Sequence, residues 1–160
     1  MASLRAVYLY QREIKAETSP LCHTGPSGAF ERVSMLEKGM TITIYEYNGC
    51  STCKNAIRFL EAGKIEFKRV PIVESPPSLA ELQKMIGYLK ARGSDFKKLF
   101  NTSGVLYREM GISEKLKAGM TETEALKLLS THGKLIKRPF LLTGKSGTVG
   151  FNEAEWKGLL

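Results

Sequence analysis

The fold is decided by residues 41–60, which read TITIYEYNGCSTCKNAIRFL. The apolar, β-branched run at 41–47 predicts a strand. A helical pattern follows from Ser51 to about Ala62, and Gly63 is a suitable residue to end it. Cys50 and Cys53 lie at the junction, so the sequence predicts a strand–helix turn that carries a CxxC motif.

The position of Cys50 at the start of the helix indicates its chemistry. The first backbone N–H groups of a helix have no partner inside the helix, and together with the helix dipole they favour an anion such as a thiolate. Cys53 lies one turn further on, on the same face as Ile57 and Leu60, which predicts a sulfur that is less exposed and more thiol-like than Cys50. Cys50 is therefore the candidate attacking sulfur, and Cys53 the candidate resolving sulfur.

Two other interpretations of the CxxC pair have to be weighed. Structural zinc needs two further ligands at regular spacing, and the chain offers only Cys22, His23, His132 and scattered carboxylates. Chance pairing of two cysteines is the other alternative. Redox chemistry is favoured over both, and no bound metal or cofactor is expected.

Composition narrows the class of protein. The chain has 160 residues, 42% of them hydrophobic, which suits one domain with a real core. No apolar run approaches the ~18 residues of a membrane span, and three cysteines do not form a disulfide framework, so we expect a cytoplasmic protein without a membrane partner. The net charge of +8 suits an anionic partner, although a solvated basic surface would give the same value.

Two further segments complete the first half of the chain. Residues 65–73 predict a second strand and close a β-α-β unit. Residues 76–133 predict a helical insert, with capping boxes at Ser78–Glu81 and Thr121–Glu124.

The end of the chain predicts a β-hairpin and a helix. The hairpin strands are expected at 135–143 and 148–151, and Asn152 is expected to cap the final helix. Pro139 cannot donate to a ladder, so it suits the head of its strand, and we expect a cis Arg138–Pro139 bond that faces the sulfurs. A surface salt bridge is the alternative role for Arg138.

The order β-α-β, insert, β-β-α with a proline opposite a CxxC motif predicts an α/β protein with a thioredoxin-like fold. The domain is expected to cover residues 40–160. Residues 1–39, rich in Pro and Gly around Cys22, are interpreted as an N-terminal extension, and Cys22 as a bystander.

At this level of detail the chain resembles the arsenate reductase/Spx (ArsC/Spx) family of bacterial thioredoxin-fold proteins. The resemblance covers about residues 41–160. The matching segments are Tyr47–Asn55, Phe96–Asn101, Tyr107–Ile112, Lys137–Phe140 and Val149–Glu153.

The resemblance implies a mechanism. In arsenate reductases of this kind one cysteine attacks arsenate, arginines bind the oxyanion, and glutathione with glutaredoxin completes the cycle. By similarity Cys50 is that cysteine and Arg138 one of the arginines, but Lys97 stands at a second arginine position and Val149 near the third. Lysine and valine lack the planar fork of arginine, which favours a disulfide over arsenate as substrate.

The resemblance leaves two functions open. The first is a thiol reductase with glutathione as co-substrate and glutathione or glutaredoxin as partner. Its substrate-binding residues would be Ser51, Thr52, Lys54, Lys97 and Pro139. The second is an Spx-like redox regulator that binds the RNA polymerase α subunit, and direct DNA binding is not expected in either case.

Overall fold

The computed structural model describes residues 41–160, so the predicted extension and Cys22 lie outside the described residues. Its four-stranded sheet has the order β2-β1-β3-β4. The strands are β1 (Ile42–Glu46), β2 (Phe67–Pro71), β3 (Phe140–Leu142) and β4 (Gly147–Val149). β1 runs parallel to β2 and antiparallel to β3, and β3 pairs antiparallel with β4. This is the predicted β-α-β and β-β-α arrangement of a thioredoxin-like fold.

Within the described residues the sheet is accompanied by six α-helices and two 3₁₀ turns. The helices are α1 (Ser51–Ala62), α2 (Leu79–Ala91), α3 (Val105–Glu109), α4 (Ile112–Lys117), α5 (Glu122–Thr131) and α6 (Glu153–Leu159). The 3₁₀ turns are Phe96–Leu99 and Gly133–Leu135. Helices α2 to α5 lie between β2 and β3 in the chain, which confirms the helical insert. None of these helices has both the length and the apolar character needed to cross a bilayer.

Each strand alternates between two cores because successive side chains of a strand point to opposite faces. Ile42 and Ile44 of β1 pack with Leu141 of β3, α1 and Trp156. Tyr45 faces the other way and packs with Phe140 of β3 and the helices of the insert. The sheet is therefore covered by α1 and α6 on one face and by the insert on the other.

Both predicted capping boxes are present. Ser78 accepts from the Glu81 backbone while the Glu81 carboxylate accepts from the Ser78 backbone, and Thr121 and Glu124 do the same. The Tyr45 hydroxyl also donates to Glu81 Oε1 at 2.7 Å, which ties β1 to the start of α2. The insert is thus attached to the sheet at its first turn.

The hairpin strands are shorter than predicted. β3 was expected over 135–143, but Leu135 belongs to a 3₁₀ turn and Ile136 makes only an isolated bridge with Phe100. β4 was expected to reach residue 151, but Gly150 has a φ of 82°, which extended strands do not adopt. Helix α4 was not predicted, whereas the cis Arg138–Pro139 bond was and is confirmed.

Candidate active site

Cys50 is the N-cap of α1, as its sequence position predicts. Its backbone is extended, and its Sγ accepts the Cys53 N–H at 3.4 Å. The first turn of α1 contains no acidic residue that would compete for the exposed N–H groups. The side chain is partly exposed and carries no disulfide. The Cys50 sulfur therefore lies, partly exposed, at the positive end of a twelve-residue helix.

Cys53 has the opposite environment. It is fully buried, and burial raises the pKa of its thiol to about 12 from an ordinary value of 9.0, with a hydrogen bond and the charge of Cys50 acting in the same direction. A backbone hydrogen bond with Tyr47 and the positive charge of Arg138 lower the pKa but do not cancel the effect of burial. The prediction that Cys53 is the less exposed and more thiol-like of the two cysteines is confirmed by its burial and by the raised pKa of its thiol.

Arg138 lies next to this pair. It is half-buried, and its Cζ atom lies 4.7 Å from the centroid of the Tyr47 ring, in cation–π geometry. Among residues 41–160 no carboxylate forms an ion pair with Arg138. The guanidinium therefore stacks on an aromatic face while its charge acts on Cys53.

A cleft of about 350 Å³ extends from the start of α1 across the hairpin. Its positive side consists of Lys98, Lys137 and Arg138, and Thr52 lies at the helix end. The remaining wall consists of Val149, Gly150, Phe151, Asn152 and Glu155. Three cations around one cleft that reaches the first turn of α1 make it suitable for a ligand with an anionic group.

Glu155 is the one acidic side chain of this cleft wall, and it is held by its neighbours. Its Oε1 accepts the Thr148 hydroxyl at 2.7 Å and lies 3.4 Å from Arg92 at the end of α2. Arg92 also donates to the Gly147 carbonyl. The network joins the insert, β4 and α6, and it places a carboxylate with a fixed partner at the far end of the cleft.

The predicted substrate-binding residues fall in different places. Ser51 and Thr52 are exposed in the first turn of α1, and Thr52 lines the cleft. Pro139 is buried behind Arg138, and Lys54 is exposed on α1. Lys97 is exposed, and its Nζ lies 3.7 Å from Asp95 Oδ2. The roles of these five residues in binding stay predictions.

The sequence interpretation missed two of the basic cleft residues, Lys98 and Lys137. Lys98 follows Lys97 in a 3₁₀ turn, where successive side chains point about 120° apart, so the choice between them depends on the turn. Lys137 directly precedes Arg138, and its side chain passes over Gly150, where an added Cβ would lie 3.3 Å from Lys137 Cε. Both lie inside segments that match the family, Phe96–Asn101 and Lys137–Phe140, and this was the available signal.

The metal interpretation of the CxxC motif gains no support from the described residues. In residues 41–160 no group of three or more histidine, cysteine or carboxylate side chains is arranged to hold a metal ion. His132, one of the candidate ligands, hydrogen-bonds to the Leu128 carbonyl through Nδ1 at 3.1 Å, at the end of α5.

Among proteins of known sequence, the chain is 45% identical over 118 residues to YusI of Bacillus subtilis (strain 168), covering 74% of this chain and 97% of that protein. It is 31% identical over 103 residues to an arsenate reductase of Rhizobium meliloti (strain 1021), covering 64% and 69%. It is 28% identical over 119 residues to the global transcriptional regulator Spx of Streptococcus pneumoniae (strain ATCC BAA-255 / R6), covering 74% and 85%.

A crystal structure of an ArsC family related protein from Bacteroides fragilis matches with a TM-score of 0.69 and 41% identity. The match covers 76% of this chain and 99% of that one. The profile of the ArsC family matches residues 45–159, which include both cysteines, the insert and the proline-led strand. The chain therefore belongs to the ArsC family.

Proposed function

We propose that this protein is a thiol–disulfide oxidoreductase that uses Cys50 as nucleophile and Cys53 as resolving thiol. The observation that supports the proposal most strongly is the contrast between the two sulfurs. Cys50 is open at the start of α1 and accepts a backbone N–H, whereas Cys53 is buried and protonated behind it. Such an asymmetric pair suits a reaction in two successive exchanges.

In the first exchange the Cys50 thiolate attacks one sulfur of a substrate disulfide. A bond forms between Cys50 and that sulfur, the substrate S–S bond breaks, and the departing thiolate takes a proton from water. In the second exchange Cys53 loses its proton and attacks Cys50, which releases the other substrate thiol and leaves a Cys50–Cys53 disulfide. The charge of Arg138 favours the Cys53 thiolate that this step requires.

The enzyme returns to its dithiol form by a further exchange with a reduced thiol. Glutathione, directly or through glutaredoxin, is the proposed donor, and two glutathione molecules would leave as their disulfide. Glutathione carries two carboxylates, which suits the cation-lined cleft. A reducing cytoplasm supplies this donor, and we propose that the protein works there.

Arsenate is a weaker candidate for the substrate. At the two positions where the family resemblance expects further arginines, Lys97 pairs with Asp95 and Val149 is buried and uncharged. Of the three positions compared, only that of Arg138 offers a planar fork to an oxyanion, so we expect arsenate to bind less well than an anionic disulfide.

The proposal is tested by substitution of each cysteine. In a glutathione-coupled assay with a small disulfide, Cys50→Ser should reduce the rate to background because the remaining cysteine of the motif, Cys53, is buried. Without glutathione, Cys53→Ser should stop after the first exchange and retain the substrate thiol, detected as a mass increase that dithiothreitol reverses. Cys22→Ser, outside the described residues, is the control and should keep the wild-type rate; full activity of Cys50→Ser would refute the assignment.

A second candidate is supported by the relatives named Spx. In this version Cys50–Cys53 oxidation alters a docking surface for the RNA polymerase α subunit instead of turning over a substrate. A pull-down with purified α subunit, performed with reduced and with oxidised protein, distinguishes the two. Redox-dependent capture without disulfide turnover would favour the regulator, and turnover without capture the enzyme.

A further inference from the structure

Tyr47 contacts both cysteines of the candidate site and Arg138. Its carbonyl accepts the Cys50 N–H at 2.9 Å, and its backbone also hydrogen-bonds with Cys53. Its ring lies under the guanidinium of Arg138, with 4.7 Å between Cζ and the ring centroid. One residue thus sets where both sulfurs and the cation lie relative to one another.

The position of the Tyr47 ring is not explained by core packing. The residue is 40% exposed, although it directly follows β1, whose last two residues are buried. An aromatic ring left this open contributes little to the core, so its contact with Arg138 requires another reason.

The space next to Gly49 is filled by the Tyr47 ring. A Cβ added at Gly49 would lie 2.8 Å from Tyr47 Cε1, closer than carbon atoms approach without displacement. The φ of Gly49 is not positive, so the backbone itself would accept alanine. The absent side chain of Gly49 therefore serves to let the Tyr47 ring lie over the turn.

We propose that Tyr47 is a positioning residue whose ring, seated over Gly49, holds the Arg138 guanidinium beside the sulfurs. The proposal rests on the function proposed above, because it assumes that the charge of Arg138 acts on a group that reacts at Cys50. Arginine has many rotamers, and a charge that moves among them is screened by water. Stacking on a flat face fixes the guanidinium at the distance where it selects anionic reactants.

The test compares two alkylating reagents that are similar in size but differ in charge. Iodoacetate is an anion and iodoacetamide is neutral, and each forms a carbon–sulfur bond with a cysteine and releases iodide. The ratio of their rates at Cys50 cancels changes in sulfur reactivity and access that affect both reagents. Trypsin cleaves after Lys38 and Lys54, so a peptide that excludes Cys22 carries the label, and fragmentation separates Cys50 from Cys53.

Arg138→Met should lower the iodoacetate-to-iodoacetamide ratio roughly three- to tenfold, since one positive charge near the sulfur is lost. Tyr47→Leu should lower it by a similar factor even though the arginine is still present. Tyr47→Phe keeps the aromatic face and should keep the wild-type ratio. Gly49→Ala displaces the ring without altering it and should also lower the ratio.

The outcomes separate this inference from the proposed function. A wild-type ratio in both Tyr47→Leu and Gly49→Ala, together with a lowered ratio in Arg138→Met, would overturn the role of Tyr47 and leave the function standing. An unchanged ratio in Arg138→Met would overturn both the inference and the anion-selecting role of Arg138, while Cys50 turnover is measured separately. A lowered ratio in Tyr47→Phe would assign the effect to the hydroxyl and refute stacking. If Tyr47→Leu does not fold by circular dichroism, Gly49→Ala decides.

Discussion

At the scale of single residues, Cys50 and Cys53 show that two identical side chains three positions apart can have opposite environments. One is a helix cap that meets solvent, and the other is one turn inside and meets the core. This difference follows from the helical repeat. Residues i and i+3 lie near one face of the helix but almost one turn apart, so the first is at the helix end and the second is inside the helix. The spacing was therefore enough to predict which sulfur caps the helix and which is buried.

The raised pKa of Cys53 predicts how stability depends on pH. The folded protein keeps the Cys53 proton up to about pH 12, whereas the unfolded chain loses it near 9.0. Above pH 9 the folded state binds more protons, so the free energy of unfolding falls as the pH rises. Below pH 9 the contribution of Cys53 is complete and constant.

The comparison variant for this prediction is Cys53→Ala, which has no proton to lose. Urea unfolding of both reduced proteins should give a stability difference that is constant from pH 7 to 8.5 and shrinks above pH 9. Titrating groups that do not contact Cys53 are shared by the two proteins and cancel. A constant difference up to pH 10.5 would show that Cys53 ionises alike in both states.

At the scale of elements, α2 is fixed to the sheet at both ends. Its capping box receives the Tyr45 hydroxyl, and burial together with the Glu81 hydrogen bond and charge raises the pKa of Tyr45. Burial alone would raise the pKa of Glu81, but hydrogen bonds from Ser78 and Tyr45 lower it overall, so the carboxylate is retained. At the other end Arg92 reaches Gly147 and Glu155.

Gly133 is a position of the insert at which no side chain can be accommodated. A Cβ there would lie 1.7 Å from the Ile72 carbonyl oxygen and 2.7 Å from its carbon, and backbone atoms cannot move aside as a side chain can. Gly133→Ala should therefore destabilise the protein by several kcal/mol or prevent folding. Thermal unfolding and soluble yield measure the effect.

Gly87 supplies the matched control within the same insert. It is exposed inside α2, and a Cβ there would meet nothing within 4 Å. Gly87→Ala should stabilise the protein by about 0.5–1 kcal/mol through helix propensity. Equal melting temperatures for the two variants would contradict the close approach of the Gly133 turn to Ile72.

At the scale of the whole molecule, one sheet separates two cores that share its strands. Tyr45, Phe140 and Leu142 belong to the core on the insert side, whereas Ile44 and Leu141 belong to the other. A strand cannot leave one core without disrupting the other. We therefore expect residues 41–160 to unfold as one cooperative unit.

Two probes test this cooperativity. Trp156, the single tryptophan of the chain, is fully buried on the α1 and α6 face, and its fluorescence reports that core. Far-ultraviolet circular dichroism reports mainly the helices, most of which belong to the insert. Their urea transitions should coincide, and separate midpoints would show that the insert melts independently of the sheet.

Much of this architecture was determined by local sequence. The CxxC junction, the capping boxes at Ser78 and Thr121 and the proline-led strand each depend on groups a few residues apart, so their patterns predicted them. Helix α4 escaped prediction because Gly111 starts it in a left-handed conformation without a side-chain cap. The start of β3 was misplaced because the apolar residues Leu135 and Ile136 are buried outside the sheet.

The composition of the cleft was decided only by the tertiary structure. Lys98 comes from a 3₁₀ turn of the insert, Lys137 and Arg138 from the approach to β3, and Thr52 from α1. The position of the Tyr47 ring between Gly49 and Arg138 likewise depends on the packing of two segments about ninety residues apart. Local sequence determines which residues form helices and strands, but which charges share a cleft depends on distances that arise only when distant segments pack together.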